Sequence, residues 1–243
     1  MPKNDKDDHL ISAQGALEKL DLPQSEAIKM LLDAVFETGA GLIPGVGTLL
    51  DFTNRLEEKI RERKLSILLQ SFAEHFGSID EAISRLKFLH SNPSGIVLFH
   101  KIILILNNGS DEEEWIQSLA NVLKNLSESE IEDKFEEYKY ALSQIERLTA
   151  QAVIILSKYD VWKEVTIQNT TSMSGQTISG DWDSQATNYL IRSMGIGVTE
   201  SGVALRMMHS FEELKNAGLV LLDHDKLKLS IVGAEIVSYI TIH

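Results

Sequence analysis

The C-terminal end of the chain carries the pattern that most constrains the fold. A helical stretch over about 200–216 is followed by Gly218, at the place where a left-handed glycine commonly ends a helix. Two short apolar strand patterns then occupy 219–230, separated by an Asp-His-Asp turn, and a closing helix is predicted over 232–240. Helix, glycine, strand, turn, strand and helix is the order of a winged-helix module, so we predict a winged-helix-like domain over 148–243.

Helix signals dominate the rest of the chain. In a capping box a serine oxygen accepts a hydrogen bond from a first-turn amide, and a glutamate three residues later reaches back to the serine amide. Three such boxes begin at Ser78, Ser110 and Ser127. Together with the spacing of apolar residues, they predict helices over about 48–75, 79–90, 96–106, 111–125 and 128–147. We therefore predict a mainly α protein with a helical N-terminal domain over 1–147.

The N-terminal domain contains an uncharged, glycine-rich segment, GAGLIPGVGTLL, over 39–50. Its glycines and its proline break the helix, which predicts a helical hairpin with an apolar tip. One alternative is that this tip is buried in the core or in a homo-oligomer interface. The other is a membrane-active element released on a signal, because soluble proteins rarely leave such a patch uncovered. The candidate membrane or oligomer contacts are Leu42, Ile43, Val46, Leu49 and Leu50.

A basic cluster follows this segment and consists of Arg55, Lys59, Arg61, Arg63 and Lys64. Arg55, Lys59 and Arg63 are candidate contacts for anionic lipid headgroups, because basic residues beside an apolar hairpin are where such contacts are expected. Glutamates at 57, 58 and 62 interleave with these residues. Ion pairs along one helix are therefore the alternative.

The net charge of −13 bears on the partners of the protein. Nucleic-acid affinity depends largely on the neutralisation of phosphates by Lys and Arg. The helix before the strands carries only Arg206 and Lys215 against three glutamates, so we expect contacts with a protein partner or self-association rather than DNA binding. These two residues are candidate partner contacts, and a transcriptional regulator is the alternative. The acidic stretch 111–146 is either the solvated face of two helices or a docking surface for a basic partner.

The sequence shows no recognisable catalytic, cofactor or metal site. Its seven histidines lack metal-ligand spacing, it has no cysteine, and the glycine-rich segment lacks the Gly-Lys-Ser/Thr ending of a phosphate loop. We therefore predict a non-enzymatic protein without a cofactor or small-molecule ligand. The alternative is a hydrolase or nuclease whose carboxylates are brought together by folding. In the polar loop predicted over 163–185, Asp181, Trp182 and Asp183 either hold a ligand or form an exposed turn anchored by the indole.

No targeting or membrane-spanning segment is visible in the sequence. The N-terminus lacks the apolar core of a secretory signal, and no apolar run has the length of an ordinary transmembrane helix. We therefore expect a cytoplasmic protein, with attachment to the membrane surface as the alternative.

The order of these segments resembles a bacterial family. GLIPGVGTLLDF, RLEEKIRERK, LTAQAVIIL and FEELKNAGLVLLDHDKLKLSIVGAEIV follow one another as in the abortive-infection alpha (Abi-alpha) proteins. The family's ending, L-x-x-L-x-x-x-G-L-[IV], falls on Phe211, Leu214, Gly218, Leu219 and Val220. The resemblance implies a role in bacterial anti-phage defence or stress, and it carries no catalytic residues over to this chain.

Overall fold

The computed structural model describes residues 26, 30, 31, 55–128, 131–163, 165, 170–171, 177–178, 182–193, 201–223 and 226–242. The protein is mainly helical, as predicted, with two small antiparallel strand pairs in this part of the chain. Segment 39–50, with its five candidate contact residues, lies outside the described residues, so the apolar hairpin stays a prediction. No single helix within the described ranges is long and apolar enough to cross a membrane, and the one pair of helices that reaches this length and composition is bent by 111°.

The helices and strands follow one another in this order: α1 (Arg55–Ala73), α2 (Ile79–Ser91), α3 (Pro93–Asn108), α4 (Glu113–Glu128), α5 (Ile131–Arg147), α6 (Ala150–Ser157), α7 (Tyr159–Trp162), β1 (Thr170–Thr171), β2 (Thr177–Ile178), α8 (Trp182–Ser193), α9 (Ser201–Asn216), β3 (Val220–Asp223), β4 (Lys226–Leu229) and α10 (Ile231–Ile240). The chain divides into two compact units, Met1–Tyr140 and Ala141–His243, and the division falls inside α5. The domain boundary expected at 147 coincides with the last residue of that helix.

The core of the first unit is made by α1, α2, α3 and α4, each of which packs against the other three. Because apolar residues recur at helical spacing along these helices, each one buries a continuous side. The fully buried side chains include Leu68, Leu69, Phe72, Leu86, Leu89, Ile102, Ile116 and Leu123. The rings of Phe72 and Phe76 contact each other with their centroids 4.9 Å apart.

The corner between α2 and α3 is built around Asn92. Its backbone N–H donates to the carbonyl oxygen of Leu89, and its side-chain oxygen accepts from the amides of Ser94 at 2.8 Å and Gly95 at 3.3 Å. Pro93 is the first residue of α3, where its missing N–H costs no hydrogen bond. The backbone of Gly95 lies so close to the Leu89 carbonyl that a side-chain carbon there would overlap it. The chain therefore turns sharply with a single residue between the two helices.

In the second unit, α9 packs against α6 and α8, and α6 also packs against α10. Trp162 is fully buried, and its ring lies edge-to-face against Phe211 with the centroids 5.7 Å apart. Trp162 Nε1 donates to the carbonyl oxygen of Ile155 at 2.7 Å, so the indole brings no unpaired donor into the core. The helix α9 ends as predicted at Gly218, whose φ of +71° lies in the left-handed region.

Two of the three capping boxes behave differently from the prediction. At Ser78 the oxygen accepts from the Glu81 amide at 3.2 Å, and α2 begins where it was predicted. At Ser110 the oxygen accepts from the amide two residues ahead at 3.1 Å, and α4 begins later than predicted. The prediction at Ser127 is wrong. This residue is buried inside α4, and its hydroxyl donates to the Lys124 carbonyl at 2.7 Å instead of capping a new helix.

The polar loop predicted over 163–185 is shorter than expected. It contains the pair of β1 and β2, and it ends at Trp182, where α8 begins. Trp182 and Asp183 therefore lie in the first turn of a helix, and their placement in a loop was wrong. Asp183 is only 5% exposed, and its Oδ1 accepts from the Ser184 amide at 2.8 Å. Asp181 lies outside the described residues.

Candidate interaction surface

Three exposed apolar side chains lie near one another in sequence at the C-terminal strand pair. Leu221 and Leu222 of β3 are 49% and 41% exposed, and Ile231, the first residue of α10, is 90% exposed. We call these three residues the β3–α10 surface. Leu221 and Leu222 are consecutive in the strand and therefore point to opposite faces of the pair, and Leu222 is on the face that carries the buried Val220 and Leu227. In the strand pair, Leu221 and Leu222 lie opposite Lys228 and Leu227. Within the described part of the chain, Ile231 is the most exposed large apolar residue.

Backbone contacts at the start of α10 hold this surface in place. Val220 and Leu227 are buried and anchor the strand pair. The Ser230 amide donates to the Leu219 carbonyl at 2.9 Å, and the Ser230 side-chain oxygen caps α10 by accepting from the Gly233 amide at 2.9 Å. The backbone of Gly233 lies against the same Leu219 carbonyl, and a side-chain carbon there would overlap it. The helix therefore starts against Leu219, the residue before β3, and its first residue is exposed.

The charged residues of the strand pair largely compensate one another. The Lys228 ammonium donates to the Asp223 carboxylate, and this hydrogen bond raises the pKa of Lys228. Lys226 lies opposite Asp223 in the register of the pair. The apolar side chains are thus surrounded by little net charge, an arrangement more typical of a protein contact than of a phosphate contact.

The two candidate partner contacts on α9 do not form one basic face. Arg206 and Lys215 are nine residues apart, which places them on opposite sides of an α-helix. Arg206 is exposed, whereas the Lys215 ammonium lies 5.2 Å from the centre of the Trp182 ring in a cation–π contact. A phosphate backbone that approached one of these cations would therefore not meet the other.

The glutamates of α9 are engaged with neighbouring side chains. Glu213 accepts from the Thr149 amide at 2.8 Å and from the Thr149 hydroxyl at 2.6 Å. Thr149 in turn caps α6, because its oxygen accepts from the Ala152 amide. Glu212 lies 3.5 Å from Nδ1 of His209. Glu213 is one of the glutamates whose charge argued against DNA binding, and it therefore also has a structural role.

The three candidate lipid contacts all belong to α1. Arg55, Lys59 and Arg63 are four residues apart, so their backbone positions follow one side of the helix. Arg63 is exposed. The residue after it behaves differently, because Lys64 is only 6% exposed. The basic cluster seen in the sequence therefore contains an inward-facing member.

Lys64 stabilises the C-terminal end of α3. Its ammonium donates to the carbonyl oxygens of Gly109 at 2.6 Å and Leu106 at 3.3 Å, which are otherwise unpaired at a helix end. Burial is the main cause that lowers the pKa of Lys64, the Asp111 carboxylate raises it, and Arg61 lowers it. This lysine has a structural role, which the sequence did not reveal.

A polar seam between α1 and α4 contains two neighbouring carboxylates. Burial raises the pKa of Glu74, a hydrogen bond from Gln70 lowers it, and the Glu113 carboxylate raises it. His75 Nε2 lies 3.1 Å from Oδ1 of Asn121 in the same seam. Within the described residues, no group of three or more His, Asp or Glu side chains is arranged to hold a metal ion.

Sequence reasoning did not find the β3–α10 surface. The available signal was Ile231 itself, an apolar residue directly after the capping Ser230, at a helix position that needs no buried side chain. No family model, curated protein or solved structure matches this chain. The resemblance to the Abi-alpha proteins therefore stays a prediction from the sequence.

Proposed function

We propose that this is a non-enzymatic interaction protein whose second unit is a winged-helix-like module that binds a second copy of the chain through the β3–α10 surface. The observation that supports the proposal most is the 90% exposure of Ile231, which directly follows the strand pair that carries the exposed Leu221 and Leu222. A large apolar side chain that is almost fully exposed loses most from contact with water, so its burial against another protein would be favourable. No local structural need explains isoleucine at the first position of α10, because a polar residue would serve there equally well.

A second copy of the chain is the partner that fits the strand pair. Among the described residues, β3 pairs only with β4, and an edge strand can pair with a strand of another chain. Most soluble homo-oligomers are two-fold symmetric, and a two-fold axis would bring the same apolar residues of both copies together. The ion pair of Asp223 and Lys228 leaves little charge to oppose this approach.

A transcriptional regulator fits these contacts less well. DNA-binding winged helices commonly insert the helix before the strands into the major groove and need phosphate contacts beside it. Here that helix is α9, on which Arg206 and Lys215 lie on opposite sides and Lys215 contacts Trp182. The net charge of −13 adds repulsion at long range.

The defence role and the membrane-active alternative rest on the sequence alone. The Abi-alpha resemblance and the uncharged segment 39–50 motivate them. Expression of the wild type beside Leu42→Asp and Val46→Asp in bacteria tests them. Toxicity and membrane depolarisation that disappear in folded, soluble variants support an effector, and three equally harmless proteins remove that alternative.

The self-association proposal is tested by sedimentation velocity over a range of protein concentrations. We expect a dimer for the wild type and dissociation to monomers for Ile231→Ser and for Leu221→Ser. The matched control is Leu205→Ser, because Leu205 of α9 is 54% exposed but lies outside the β3–α10 surface. A wild type that stays monomeric at every concentration, or equal dissociation in the control, contradicts the proposal.

A further inference from the structure

A buried histidine lies in the last turn of α2. His90 is 7% exposed, and its ring lies edge-to-face against Phe99 of α3 with the centroids 4.7 Å apart. Its Nδ1 is 2.7 Å from the carbonyl oxygen of Leu86. Because a carbonyl oxygen only accepts, the hydrogen of the neutral ring is on Nδ1, and Nε2 carries a lone pair.

The other ring nitrogen has no hydrogen-bond partner. Nε2 of His90 is fully buried and unpaired. An unpaired acceptor is tolerable in a neutral ring, but protonation would turn Nε2 into a charged donor without an acceptor in the interior. A buried charge that lacks a partner is among the most costly groups a protein can hold. The corner between α2 and α3 therefore favours the neutral ring strongly.

Among the described residues, no charged group is a cause of the shift in the pKa of His90. The titratable side chains whose surroundings are described lie on α2, on the helices packed against it and just after α1: Asp80, Glu81, Arg85, Lys87, Arg61, Arg63, Lys64, Glu74, His75, His100, Lys101, Glu113, Glu114 and Lys124. At the corner itself, Glu132 of α5 accepts from Nδ2 of Asn92 at 3.4 Å. None of them acts on His90. Its pKa is lowered by burial, the larger cause, and raised by the hydrogen bond to the Leu86 carbonyl.

Because of the position of His90, protonation of its ring would affect the packing of the whole corner between α2 and α3. The ring lies beside the turn at Asn92, and it packs on Phe99, which follows the tightly placed Gly95 by one helical turn. A helix that begins this close to the preceding carbonyl has no room to shift while it remains packed. We propose that the corner between α2 and α3 is an acid-sensitive hinge, in which protonation of His90 loosens the packing of the first turns of α3.

The direction of the pH effect follows from the lowered pKa of His90. When the pH is above 6.5, the ordinary pKa of histidine, the His90 ring is neutral whether the corner is closed or open. The closed corner then has its full stability. As the pH falls below 6.5, the open corner takes up a proton first, so stability is lost until the lower pKa of the closed corner is reached. Glu74 titrates in the opposite sense, because a raised carboxylate pKa favours the folded protein as the pH falls toward 4.5.

Hydrogen exchange measured by mass spectrometry on the full chain tests the hinge. Between about pH 7.5 and about pH 5.5, after correction for the intrinsic exchange rate, we expect exchange in 79–108 to rise about tenfold in the wild type. In His90→Phe, which keeps an aromatic ring beside Phe99, this rise should be absent. The matched control is His100→Phe on α3, which should retain it. A rise of equal size in His90→Phe and the wild type overturns the hinge.

Nuclear magnetic resonance of the wild-type imidazoles tests the same hinge without a variant. Long-range proton–nitrogen spectra should show the hydrogen on Nδ1 of His90 near neutral pH and a midpoint of titration below 6.5. A ring with its hydrogen on Nε2, or one that titrates at or above 6.5, overturns the proposal even if His90→Phe does not fold.

Discussion

The corner between α2 and α3 and the corner between β4 and α10 begin their second helix in the same way. In each, a polar residue caps the helix, and a glycine follows three positions later, as Asn92 with Gly95 and as Ser230 with Gly233. Both glycines press their backbone against the carbonyl of a preceding leucine. The same local chemistry thus produces the same sharp turn in two different units.

The two corners differ in the surroundings of the turn. The first helical residue is exposed in both, as Pro93 in the first unit and as Ile231 in the second. In the first unit, however, the buried His90 and Phe99 pack beside the turn. Local backbone rules therefore fix the turn, whereas tertiary packing decides which side chains are buried beside it.

The largest effects should come from the two corner glycines. We expect Gly95→Ala and Gly233→Ala each to lower the free energy of unfolding by about 1–3 kcal/mol, because a backbone carbonyl cannot move away from the new methyl group. Urea unfolding followed by circular dichroism measures the loss. Gly202→Ala is the control, since a side-chain carbon there would meet only Nη1 of Arg206 at 3.6 Å and helix propensity favours alanine. If the corner variants are as stable as this control, the shared construction is refuted.

The opposite end of α3 offers a second comparison. Lys64→Met should cost about 1–3 kcal/mol, because the carbonyls of Leu106 and Gly109 lose their buried donor. Arg63→Met, at the exposed neighbouring position, should change stability by less than about 0.5 kcal/mol. Equal losses in the two variants would mean that Lys64 contributes no more than a surface cation.

The caps should have intermediate effects and should rank in a definite order. Asn92→Ala and Ser230→Ala are each expected to cost about 1 kcal/mol. Asn92→Ala should cost more, because its side-chain oxygen accepts from two amides whereas that of Ser230 accepts from one. Thermal unfolding of the two variants gives the order. The reverse order would show that the two corners do not depend on their caps in the same way.

The smallest effect on stability should come from the exposed first residue of α10. Ile231→Ser is expected to change the free energy of unfolding by less than about 0.5 kcal/mol, since little of its side chain is buried. The same substitution should abolish self-association. If the variant instead loses stability markedly and keeps the oligomeric state of the wild type, then Ile231 stabilises the fold and does not form a contact between copies.

Periodicity and glycine placement made much of the fold predictable. The helices α2, α3 and α9 and the strand pair appear close to their predicted bounds, because each is delimited by local chemistry such as Ser78 or Gly218. Ser127 shows the limit. Its capping box is intact in the sequence, but the apolar face of α4 continues past it, and burial of Leu126 and Ser127 outweighs the cap.

The candidate site was less predictable than the fold. Exposure of Ile231 depends on how Gly233 approaches Leu219, a contact between residues that no sequence period relates. Similarly, Lys64 lies next to Arg63 in a basic run, and only the packing of α3 against α1 separates the buried lysine from the exposed arginine. Charged and apolar residues can be counted in a sequence, but tertiary contacts decide which of them are buried and which are exposed.

The hydrogen bonds between Glu213 and Thr149 have a consequence for the order of folding. They join residues that are 64 positions apart, and they place a carboxylate at the start of α6, where it favours the helix dipole. Part of the α6 cap therefore depends on a helix that comes much later in the chain. Because contacts between distant residues form slowly, the start of α6 should gain its protection late in folding, together with α9.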